Sequence, residues 1–244
     1  MKSSNIGLPE GLSGSLYSTD FLTTGIRKMP LFGRGDAHEE AFSNIQSILT
    51  KMSEMSSPNE DVTIDMAIRP ILDVLGWEHV LGQQTLAKRG RQDVPDHVLF
   101  TTIESRDQAA AAEDSLAAYR NGTICLEAKR WERPLDKVTR RKSEIGTPSS
   151  QMLRYLRRID DLTNGDLRYG ILTNGRRWRL YWSGASFVSE DFLEFDLFEI
   201  AGLTENSLFG LDDEGRRHWF DVFLTCFAKS AFVPDGASSA TFHD

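Results

Sequence analysis

Apolar residues recur at helical spacing from Asp36 to about Met55, where Ala41, Phe42, Ile45, Ile48, Leu49 and Met52 share one side of an amphipathic helix. Asp36, with Glu39 three residues on, fits its start. Ser56, Ser57 and Pro58 break the pattern. Asn59 is placed to cap a second helix that runs to about Leu75, stops at Gly76 and carries Pro70, where a kink is expected.

The period then shortens. Residues 79–87 and 95–101 read as an antiparallel strand pair across a polar KRGRQD turn, and an Ala-rich, helix-prone stretch over 104–120 separates them from a third strand at 122–129. A helix over 149–162, capped by Ser149 or Ser150, follows a basic connection. Residues 167–182 form two strands joined by Asn174-Gly175. A strand at 193–200 and a helix at about 214–230 close the chain, with Phe220, Phe223, Leu224, Phe227 and Phe232 as an aromatic packing surface.

This order predicts an α/β fold in which helices cover both sides of a mixed central sheet. Residues 1–35, rich in Gly, Ser, Thr and Pro, read as an irregular lead-in; 36–200 hold the main domain; 201–244 form an acidic helical extension packed on it.

Length and composition add bounds. A chain of 244 residues can bury one full core. No long apolar run and no apolar stretch near the start suggest a membrane span or a secretory signal, so a cytoplasmic protein is expected. Cys125 and Cys226 sit in apolar segments, as buried thiols of a reducing compartment do. The net charge of −8 argues against a nucleic-acid partner until its distribution is considered. Residues 124–158 carry ten basic and four acidic side chains, whereas 183–244 carry three basic and twelve acidic. The first stretch can face phosphates, although a charge run is also what any solvated face looks like.

The chemistry concentrates in two strands. Alternation puts Glu127 and Lys129 on one side of the third strand, with Leu126 and Ala128 on the other. Asp96 on a neighbouring strand can converge with Glu127 on one divalent cation, with the Ala128 carbonyl as a further oxygen, an environment that suits Mg2+ and also Mn2+. Lys129 beside it would stabilise charge on a phosphate. Taken alone, Glu127-Ala128-Lys129 reads as an exposed same-face pair at a strand end.

In company, these residues resemble the PD-(D/E)xK phosphodiesterase superfamily, whose metal-dependent nucleases share an αβββαβ core. The resemblance rests on Pro95-Asp96, then Glu127-Ala128-Lys129, then Gln151 and Tyr155 in the QxxxY position, and upstream on Glu60 opening EDVTIDMAIRPILDVLGW. That upstream segment is similar to the first helix of the nuclease domain of type I restriction motor subunits and related single-chain restriction enzymes. The resemblance covers roughly residues 56–183 and implies a restriction-endonuclease-like αβββαβ core with a mixed central sheet, an N-terminal helix and a C-terminal strand and helix beyond it. It implies Asp96 and Glu127 as metal ligands, Lys129 as the catalytic lysine, and Glu60 as a further ligand or a carboxylate just behind the ligands. Gln151 and Tyr155 would contact DNA or brace the site. Arg130, Arg140, Arg141 and Arg154 are the candidate DNA contacts. The interval from Asp96 to Glu127 is long for the superfamily and holds the Ala-rich stretch as an insertion.

The expected function is Mg2+-dependent DNA endonuclease of a restriction or phage-defence type. Its partners would be DNA and restriction-system subunits or further copies of the chain. The alternative is a catalytically silent nuclease-fold module that binds nucleic acid or a partner protein. No GxxxxGK[ST] accompanies the site, so no ATP-driven motor is expected, and no GxSxG supports acyl hydrolysis. His38, His79, His97, His218 and His243 show no metal spacing, and His97 is expected on the opposite face from Asp96. Trp131, Trp178, Tyr181 and Trp182 interleave with Arg130, Arg133, Arg176, Arg177 and Arg179, as base-stacking surfaces and packed aromatic faces both do.

Overall fold

The computed structural model describes residues 7–33, 36–84, 94–114, 116–138, 146–204, 211–234 and 240–243, without the side chains of residues 36 and 37. The expected capping by Asp36 therefore lies outside the described residues. Helix α1 spans Asp36–Ser53. The second helix starts as α2, Glu60–Thr63, where Asn59 Oδ1 accepts from the Val62 N–H at 2.9 Å. It widens to a π-helical stretch at Ile64–Ile68 and continues as α3, Arg69–Val74. Pro70 has no N–H to give and falls two residues after the wide turn, so the loss is absorbed by changed hydrogen-bond spacing. Gly76, at φ +79°, ends the helix as expected, with the Trp77 N–H returning to the Leu72 carbonyl.

Strands β1 (His79–Gly82), β2 (His97–Phe100), β3 (Ile124–Ala128), β4 (Tyr169–Thr173), β5 (Arg177–Trp182) and β6 (Phe192–Asp196) form one mixed sheet in sequence order. Every neighbouring pair is antiparallel except β3 and β4. A parallel step needs a crossover, and helix α6 (Pro148–Thr163) makes it. The Ala-rich stretch forms two helices, α4 (Ile103–Ala111) and α5 (Ala117–Asn121), rather than one continuous helix, because Ala112 is extended.

Helices cover both faces. On one, Leu99, Ile124, Leu126, Ile171, Trp178 and Phe195 join Ile45, Leu49, Ile68, Ile71 and the C-terminal aromatics in one buried cluster. On the other, Val98, Phe100, Cys125, Leu172 and Tyr181 meet Met152, Tyr155, Leu156 and Ile159 of α6. Helix α8 (Asp213–Phe227) is buried on every side from His218 onward and lies inside the first layer, where Phe223 stands edge-on to Trp178 and Phe195. Buried indole N–H groups are satisfied: Trp77 donates to the Phe227 carbonyl and Trp219 to Gly7.

Two further expectations change. Thr147, not Ser149 or Ser150, caps α6: Pro148 takes the first helical turn, where a missing N–H costs nothing, and Thr147 Oγ1 accepts from Ser150. The apolar run 193–200 is not all strand. It ends at Asp196, whose carboxylate accepts from the Phe198 N–H and starts helix α7, Leu197–Ile200. Within the lead-in, Ser13 exchanges backbone hydrogen bonds with Glu194 on the edge of β6, and Leu22 and Ile26 are buried in the core. No helix among the described residues is long and apolar enough to cross a membrane.

Candidate active site

Register decides which side chains meet. His97 of β2 lies opposite Leu126 of β3, so Asp96, one residue before β2, stands opposite Glu127. Asp96, Val98, Cys125 and Glu127 therefore share the face that α6 covers, and Lys129 continues it one step past β3. His97 points the other way, into a cavity lined by Ile64, Ile68 and Leu126. The predicted trio thus comes together at one end of two adjacent strands. Asp96 Oδ2 accepts from the Ala128 N–H at 2.9 Å, taking over from β2 where that strand has ended. The Lys129 N–H goes to the Thr173 carbonyl at 2.8 Å and extends the parallel ladder past β3.

Glu127 is 2% exposed and Lys129 7%. The Lys129 ammonium donates to Glu127 Oε1, while Oε2 is buried with no hydrogen-bond partner. Glu60, first residue of α2, approaches from above. Its carboxylate is close enough to feel the charges of Lys129 and Asp96. What anchors that helix is Thr63, one turn on, whose Oγ1 accepts from the Trp131 N–H at 2.8 Å.

Three carboxylates around one lysine leave excess negative charge, and the acidities follow. Burial, then Asp96, pushes the Glu127 acid up to about 8 against the pull of Lys129. Burial raises Glu60 as well. For Lys129 burial acts downward, but Glu127, Asp96 and Glu60 more than offset it and the ammonium holds its proton more tightly. The cluster as a whole favours taking up positive charge.

No family model, no curated protein and no solved structure matches this chain.

The site's own chemistry is therefore what speaks for a metal. The donor set is oxygen only, two carboxylates face each other across adjacent strands, and Glu127 Oε2 is an orphaned buried acceptor. These features suit a hard divalent cation. Among the described residues, no three His, Cys, Asp or Glu side chains are gathered as a ready metal site; Lys129 bonds one oxygen of Glu127 and the Ala128 N–H one of Asp96.

The remaining predicted residues divide. Tyr155 lies on the buried face of α6, and Gln151 Nε2 donates to its hydroxyl from one turn earlier on the same helix. Arg130 is exposed directly after Lys129, and Arg154 is exposed on α6. Arg140 and Arg141 lie outside the described residues. Trp131, Trp178 and Tyr181 are buried and present no face to a base. Thr63, Asn174, and Arg179 with Asp136 hold the segment after Lys129, a role the sequence did not assign to any of them. Their role depends on contacts 41 to 68 residues apart, which no local pattern carries.

The raised Glu127 acidity predicts a pH effect. The unfolded carboxyl releases its proton near 4.5, whereas the folded one keeps it to about 8. Between those values the folded state binds more protons, so this group's contribution to stability falls as pH rises. Calorimetry in a chelator should show the parent losing melting temperature from pH 5.5 to 8.5 more steeply than Glu127→Gln, with the variant melting higher at pH 8.5. Parallel curves would contradict the assignment.

Proposed function

We propose that the chain is a Mg2+-dependent deoxyribonuclease of the PD-(D/E)xK type, acting in restriction or phage defence with sequence recognition supplied by partner subunits or further copies. The observation that carries this reading is the meeting of Asp96, Glu127 and Lys129 at one end of β2 and β3, with Glu60 brought to them by α2. The order α2–α3, β1, β2, β3, α6, β4 supports a restriction-endonuclease-like core, with α4 and α5 as the insertion between β2 and β3.

Asp96 and Glu127 would hold the cation, with Glu60 as a further ligand or behind them. When bound, Mg2+ or Mn2+ makes water acidic enough to attack a phosphodiester and offsets charge on the departing oxygen. Lys129 contributes its ammonium: released from Glu127 Oε1, Nζ donates to the oxygen of the attacked phosphate that gathers charge. Arg130 stands beside it to bind the DNA backbone, with Arg140, Arg141 and Arg154 as further phosphate contacts in the basic stretch. Gln151 and Tyr155 keep α6 seated over Glu127.

One observation favours the second reading, a silent binding module: Lys129 is closed on Glu127 as a structural ion pair would be. Incubation of purified protein with plasmid and linear DNA separates the two. Nicking or cutting is expected with Mg2+ or Mn2+ and not in a chelator. Intact DNA under every divalent metal, together with tight binding of DNA or of a partner protein, would favour the silent module.

A further inference from the structure

The Asn174-Gly175 tip of the β4–β5 hairpin reaches the two segments that carry the candidate site. Asn174 is 2% exposed. Its two amide atoms serve different ends. Oδ1 accepts from the N–H groups of Arg176 and Arg177 at 3.1 and 2.7 Å, which shapes the turn. Nδ2 donates at 2.8 Å to the carbonyl of Arg133, four residues past Lys129, and does nothing for the turn.

Gly175 adds a second tie. At φ +84° it lies under the Trp131 ring, and a Cβ built there would come within 2.8 Å of Trp131 and 3.2 Å of Thr63. Thr63 also receives the Trp131 N–H and donates to the Asn59 carbonyl at 2.7 Å. The hairpin tip is therefore wedged against both the strand extension that carries Lys129 and the helix turn that carries Glu60. Between them, Glu132 adopts a left-handed φ of +54°, with its carboxylate on Arg176 Nη1 at 2.6 Å. A non-glycine residue keeps such a conformation only where its surroundings hold it.

We infer that Asn174 is a positioning residue of this site: its Nδ2–H, through the Arg133 carbonyl, fixes the segment after β3 and with it the placement of Lys129 relative to Glu60. The inference rests on the nuclease reading for its kinetic consequence but not for its structural one. The bland alternative is that Asn174 merely forms the turn.

Asn174→Asp distinguishes them, because a carboxylate keeps the acceptor for Arg176 and Arg177 and loses the donor to Arg133. Misplacement of a reacting group by about 1 Å can cost about 100-fold, so a fall in kcat of about 10- to 100-fold on plasmid DNA is expected, with KM within about twofold. The backbone amide resonances of Lys129 and Glu60 should move as well. Thr63→Val, which removes the acceptor for Trp131 without charge, should give the same split and guards against Asn174→Asp failing to fold. Unchanged kcat in both variants, or resonance changes confined to residues 173–177, overturns the inference. If the parent cuts no DNA, the nuclease reading falls and the resonances alone decide: movement at Lys129 and Glu60 supports the positioning role, and its absence overturns it.

Discussion

Glu127→Gln and Lys129→Ala are each expected to cut DNA about 10²–10³-fold more slowly than the parent, with little loss of folded protein. Glu127 offers a buried carboxylate oxygen without a partner, and glutamine keeps the shape while removing the charge a divalent ion requires. Lys129 supplies the nearest cation to that carboxylate, and alanine leaves nothing to meet charge developing on the phosphate. Activity and stability should part company. Glutamine relieves the crowding of Glu127 against Asp96 and Glu60, whereas alanine leaves Glu127 buried without its counter-charge and should melt lower. Cleavage rates measured beside circular dichroism melts make the comparison. A Glu127→Gln protein that cuts at the parental rate would remove Glu127 from the reaction.

The largest stability effect is expected at Arg179. This side chain is 3% exposed and lies across β4 from Glu127 on the same face of the sheet. Its Nε donates to Glu194 Oε2 at 2.7 Å, its two terminal nitrogens grip Asp136 at 2.9 and 2.8 Å, and its guanidinium lies 4.0 Å above the Phe192 ring. Arg179→Met would leave Glu194, 1% exposed, with only Arg177 and Ser13 on its other oxygen. Loss of one partner from a buried pair costs about 3–5 kcal/mol, and urea unfolding should report a loss of that size. The double variant Arg179→Met, Glu194→Leu should recover much of it, because no uncompensated charge remains. A single variant that loses under about 1 kcal/mol would mean that solvent reaches Glu194 and screens it.

Legibility in the sequence followed the range of the interaction. Asn59, Gly76 and the Asn174-Gly175 turn act within a few residues, and their roles could be read from residue type. The shared face of Asp96, Glu127 and Lys129 was legible because strand alternation is strict. Thr147 was missed because two serines just downstream competed for the cap, although Pro148 marks the helix start. Residues 193–200 misled because an apolar run does not say where strand becomes helix, and the carboxylate of Asp196 decides it. Arg179 in a strand suggests a solvent face. Its burial depends on Glu194, Asp136 and Phe192, brought from other parts of the chain.

The single parallel step between β3 and β4 also sets an order of events for the folding chain. β1, β2 and β3 pair only with sequence neighbours, as do β4, β5 and β6, whereas joining the two triplets brings Ile124 to Tyr169 across the whole α6 crossover. Contacts between distant residues form late, because the intervening chain must first be closed into a loop. Asp96, Glu127 and Lys129 belong to the first triplet and Asn174 to the second. A nascent chain that has paired only β1 to β3 therefore brings these three side chains together without the clamp that sets Lys129, and the clamp closes only when the second triplet docks.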